Sequence, residues 1–130
     1  GKFIARGEVT PRCGECRTRT KKRGAPRLFL IPVYQDKDYE PSAGYYATEC
    51  RPIARTEDIP VGQRACRMWP IVCPECGARA VLAVDFLLVR GQEVPEKTAV
   101  CEYAPLASLL DNAPAEAACT GSKKQDFRYE

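Results

Sequence analysis

Two cysteine doublets constrain this chain more than any other feature: Cys13-Gly-Glu-Cys16 and Cys73-Pro-Glu-Cys76-Gly77. Thiolates at i and i+3 grip one zinc ion when the turn between them folds back, so that backbone amides point at the sulfurs and offset their charge. The same spacing also serves a redox dithiol or half of a disulfide framework. In the second doublet Pro74 fixes the first angle of the turn, and Gly77 accepts a positive φ where the chain leaves it. The first doublet differs. Its glycine, Gly14, follows the first cysteine, and Arg17 stands at the exit, where a non-glycine residue adopts positive φ at a cost of roughly 1 kcal/mol.

Composition narrows the choice. Eight cysteines in 130 residues far exceed ordinary usage, and there is no histidine. The commonest general base and the usual catalytic zinc ligand are therefore both missing. No apolar run reaches the ~20 residues that cross a bilayer, and Ala80–Val89 is interrupted by Asp85. The start lacks the charged, apolar and small-residue regions of an export signal. These features predict a cytoplasmic, reducing setting, in which cysteine pairs bind metal more often than each other. In an oxidising setting Cys50–Cys66 and Cys101–Cys119 would instead be natural loop-closing disulfides.

The turn Cys-Pro-x-Cys-Gly resembles the knuckle of zinc-ribbon and rubredoxin-like proteins. In that family two knuckles on two hairpins supply four thiolates to one tetrahedral metal. The resemblance covers the two knuckles and their flanking strands, and it implies a structural zinc held by Cys13, Cys16, Cys73 and Cys76. The doublets are 56 residues apart, so the segment from about 28 to 66 reads as an insertion with strands of its own. Loop closure grows slowly with length and tolerates this. A second division is open: Cys13, Cys16, Cys50 and Cys66 in one site, with Cys73, Cys76, Cys101 and Cys119 in another. Buried, unbridged thiols are the plainer reading of the four single cysteines. Cys-Pro-x-Cys also resembles a glutaredoxin-type active site, with Cys73 activated at the N-terminus of a helix over Ala78–Arg90.

Hydrophobic patterning predicts a mainly β domain over residues 1–111 and a weakly ordered tail over 112–130. Strands are expected at Phe3–Val9, at Leu28–Tyr34 (an edge strand or bulge, because of Pro32), at Gly44–Cys50, through Arg64–Val72, at Ala78–Arg90 and at Thr98–Tyr103. Arg51–Gln63 reads as a long loop with one helical turn, and Leu106–Asp111 as a short helix opened by Pro105. Trp69 is expected as a core anchor beside the metal.

Charge is uneven. Residues 1–27 carry nine basic side chains against Glu8 and Glu15, although the whole chain has a net charge of only +3. The run Arg17, Arg19, Lys21, Lys22 and Arg23 fits either a solvated turn or a phosphate-binding stripe. With no nucleophile–base pair and no phosphate-cradling glycine loop, the expected function is a non-catalytic zinc module acting through a protein partner. Nucleic-acid binding through residues 17–23 is the alternative, and thiol–disulfide exchange at Cys73 and Cys76 a second one.

Overall fold

The two apolar segments that flank the second doublet build the middle of the fold. In the computed structural model, which describes residues 11–31 and 39–116, β4 (Arg64–Val72) and β5 (Arg79–Val89) form one long antiparallel hairpin around the second doublet. Their alternation places Cys66, Met68, Val81 and Ala83 on one face and Ala65, Leu82 and Phe86 on the other. β5 turns into β6 (Gln92–Glu102) through Arg90 and Gly91, whose φ angles of 55° and 79° give the left-handed turn that suits strand twist.

The fold is mainly β. Among the described residues six antiparallel strands form a single sheet, five of them in the order β3-β2-β4-β5-β6, where β2 is Arg27–Leu30 and β3 is Arg51–Ile53. The short β1 (Lys21–Lys22) pairs with the far end of β4. One face is covered by α1 (Ala43–Glu49) and by α2 (Ala107–Asn112) with the 3-10 turn Ala104–Leu106 before it, which bury Tyr46, Leu110 and Leu106 against Phe29, Met68, Val81 and Ala83. A second cluster of Leu28, Ile59, Ala65 and Phe86 fills the other face. Among the described residues no helix is long and apolar enough to cross a membrane.

Four sequence expectations change. Gly44–Cys50, expected as a strand, lies in α1 and its C-cap: Ser42 caps the helix by accepting from Tyr45 N–H at 3.2 Å, and Ala43, Tyr46 and Cys50 share the face turned to the core. β2 ends at Leu30 and is interior, between β3 and β4, so it is no edge strand. Arg51–Ile53 is a strand within the expected loop, and the helical turn there is the 3-10 segment Thr56–Asp58. The last strand is far longer than Thr98–Tyr103, because Pro95 is tolerated at the sheet's edge.

The expected strand Phe3–Val9 lies outside the described residues, as does Cys119. Of the segment from 112 onward, 112–116 are described. Ala113 is buried, the Glu116 carboxylate pairs with Arg67 at 2.7 Å, and its amide donates to Pro26.

Candidate metal centre

The two knuckles share one backbone frame. In the first, Arg17 N–H donates to Cys13 C=O at 2.9 Å and Cys13 N–H donates to Thr18 C=O at 2.8 Å. In the second, Gly77 N–H donates to Cys73 C=O at 2.8 Å and Cys73 N–H donates to Ala78 C=O at 2.9 Å. The flanking pairs match too: Arg12 bridges Arg19 as Val72 pairs Arg79. Arg17 takes φ 58°, the conformation that Gly77 takes at 79°. β1 then carries the first knuckle to the second by pairing Lys21 and Lys22 with Val72 and Ile71.

Four sulfurs meet there. Those of Cys13, Cys16, Cys73 and Cys76 all lie within 4.8 Å of one another, and Cys13 and Cys76 are 3.9 Å apart. A tetrahedral ion with Zn–S bonds of ~2.3 Å separates its sulfurs by about 3.8 Å, so the donor set fits such an ion in both number and span. Cys16 N–H approaches the Cys13 sulfur at 3.5 Å. The backbone N–H of Cys76 holds the Cys73 thiol down at about 7 against the opposing effect of burial, with help from Glu75 N–H. Cys16 is pushed up to about 12, first by its hydrogen bond to the Cys76 thiol. Sulfurs this crowded do not all ionise unless a cation shares them.

The other described cysteines are elsewhere. Cys50, Cys66 and Cys101 sit in the apolar core under the helices, so the doublets meet each other rather than these single thiols. Burial raises the thiol of Cys66 well above its ordinary value and that of Cys101 to about 11, which keeps both protonated and poor as ligands. Cys50 shares this core with Cys66 and adds to the rise of the Cys66 thiol, and all seven described cysteines are free. The glutaredoxin-like reading loses its helix, because the segment after Cys76 is strand β5.

Trp69 is half-buried, with the Lys22 ammonium 4.4 Å from its ring centre. Arg17, Arg19, Lys21, Lys22 and Arg23 are all exposed around the first knuckle.

Two features escaped the sequence reading. Asp85, read there only as an interruption, is fully buried and accepts hydrogen bonds from the Tyr39 hydroxyl and, at 2.9 Å, from the Tyr46 hydroxyl. The second is the pair Arg27 and Arg79, which join Arg23 around a cavity next to the knuckles. The usable signal was the likeness of the two knuckles, which makes Arg79 the counterpart of Arg19. Comparison of the chain with known protein families, curated proteins and solved structures finds no match.

Proposed function

We propose that this chain is a structural zinc module of the zinc-ribbon type, non-catalytic, working in a reducing, cytoplasmic setting. The observation that carries this reading is the meeting of four sulfurs from two knuckles of one frame. Cys13, Cys16, Cys73 and Cys76 would hold the ion, which would supply the cohesion that the short β1 pairing lacks. Four thiolates fill a tetrahedral shell and leave no position for water or substrate, so the metal serves the fold and not a reaction. Function then lies in what the surface around the metal holds, and a protein partner is the primary reading.

The test is intact mass under native and denaturing conditions, with metal analysis. One zinc per chain, released on denaturation, is expected. Protein without metal, whether bridged by disulfides or with all its thiols free, overturns the reading.

One observation favours nucleic acid as the partner instead. Arg23, Arg27 and Arg79 converge on a cavity beside the knuckles, continuous with the exposed basic run of the first.

A further inference from the structure

The cavity beside the second knuckle measures about 180 Å³, several times the ≈ 30 Å³ that one water occupies in the liquid. Arg23, Arg27 and Arg79 line it, with Tyr103, Leu110 and Asp111 completing much of the wall. Three guanidinium groups against one carboxylate leave two positive charges without a counter-charge at one concave spot.

The way these arginines are held matters more than their number. The Arg27 guanidinium donates to Ala113 C=O at 3.2 Å and to Ala25 C=O at 2.8 Å. The Arg79 guanidinium stacks on the Tyr103 ring, 4.5 Å from its centre. Carbonyls and a ring orient a guanidinium without cancelling its charge, and the planar fork then faces an anion with little ordering left to do. None of the three forms an ion pair with a carboxylate among the described residues, whereas Arg64 and Arg67 do. The molecule therefore neutralises the buried Arg64 and the half-buried Arg67 and leaves this more open group charged. The apolar side chain of Leu110 in the wall strengthens the field that the three produce.

The charge also continues beyond the cavity. Lys21, Val72 and Arg79 lie opposite one another on three adjacent strands, so Lys21 and Arg79 share a sheet face, about 10 Å apart. Arg19 and Arg17 follow in the exposed first knuckle. A single small anion fills the cavity but leaves this extension unused, whereas a polyanion uses both.

We propose that the cavity bounded by Arg23, Arg27 and Arg79 binds a phosphate group of a single-stranded nucleic acid, whose backbone runs on past Lys21 toward Arg19 and Arg17. This rests on the zinc reading in one respect: the metal would pin the first knuckle, and with it Arg23, against the second.

The experiment is fluorescence anisotropy of a labelled single-stranded RNA oligonucleotide titrated with zinc-loaded protein, with zinc content measured on the same samples. Arg27→Gln and Arg79→Gln are each expected to weaken binding about tenfold and to lower the slope of log affinity against log salt by about one. Arg23→Gln, which removes an exposed side chain, is expected to do the same and guards against a folding defect in the other two. Arg55→Gln, remote and paired with Asp58, is expected to change nothing. Inorganic phosphate and a nucleoside monophosphate are expected to compete only at far higher concentration than unlabelled oligonucleotide. Three results overturn the proposal: zinc-loaded protein that does not bind the oligonucleotide, arginine variants that keep zinc and bind as the wild type does, or preference for a phosphopeptide of equal charge. Protein that binds the oligonucleotide through these arginines yet contains no metal overturns the zinc reading alone.

Discussion

Arg17 stands in the first knuckle where Gly77 stands in the second. Both leave the turn with positive φ, 58° and 79°, and both donate a backbone N–H to the carbonyl of the first cysteine of their doublet. The backbone demand is therefore the same at two positions of unequal fitness. A side chain in this conformation costs roughly 1 kcal/mol that glycine escapes.

Exchanging the two residue types is expected to shift stability in opposite directions. Space is open around Gly77, with no atom within 4 Å of where a Cβ would stand, so only the backbone conformation matters there. Gly77→Arg is expected to lower the unfolding free energy of the zinc-loaded protein by about 1 kcal/mol, and Gly77→Val by more, because β-branching crowds this region further. Arg17→Gly is expected to raise it by a few tenths to about 1 kcal/mol, since part of the relief is returned as entropy of the unfolded chain. Urea unfolding decides, and equal destabilisation in both directions contradicts the shared frame.

The doublets are expected to be equivalent toward metal. Cys13→Ser and Cys73→Ser each remove one of four sulfurs that lie within 4.8 Å of one another, and each is expected to abolish tight zinc binding and lower the melting temperature. Cys101→Ser, in the core beneath the helices, is expected to leave zinc stoichiometry at one while costing stability through its buried hydroxyl. A variant series in which only Cys73 mattered would speak for a dithiol site instead.

The legible parts of this molecule were those in which local chemistry and global structure agree. The knuckle turns announce themselves through Pro74, Gly77 and the paired cysteines, and β5 through its β-branched and aromatic content and the stop at Gly91. α1 was misread because its tyrosines and threonine favour strands, while the helix is fixed by the Ser42 cap and by burial of Tyr46. The first half of β6, Gln-Glu-Val-Pro-Glu-Lys, looks like a loop because it lies at an exposed edge that needs no apolar alternation. The cavity was invisible for another reason. Arg27 and Arg79 stand far apart in sequence, and only the β2–β4–β5 pairing brings them together.

Asp85 predicts a pH dependence whose sign is opposite to that of a salt-bridged carboxylate. Burial raises its carboxyl above the ordinary range, and hydrogen bonds from Tyr39, Tyr46 and Cys66 and the nearby Arg64 charge only partly offset this. The folded state then holds this proton more tightly than the unfolded state does. The group's contribution is largest below about pH 4, the ordinary aspartate range, and is lost as pH rises through the raised value. Asp85→Asn, neutral throughout, lacks this dependence. The stability of the wild type minus that of the variant is expected to fall as pH rises from about 4; a difference that rises instead contradicts the assignment.

Tyr46→Phe probes the same carboxyl from its partner's side. The Tyr46 hydroxyl donates to Asp85 at 2.9 Å in a place no solvent reaches, and both residues are fully buried. Removing the hydroxyl leaves one oxygen of Asp85 without that donor, at a cost of about 1–3 kcal/mol. The cost depends on the charge being solvated. A protonated carboxyl supplies a donor of its own and needs fewer from its neighbours, while an ionised one accepts only. The destabilisation by Tyr46→Phe is therefore expected to grow as pH rises through the titration of Asp85, and to shrink in an Asp85→Asn background. A double-mutant cycle at two pH values measures both, and a coupling that stays constant with pH places the proton elsewhere.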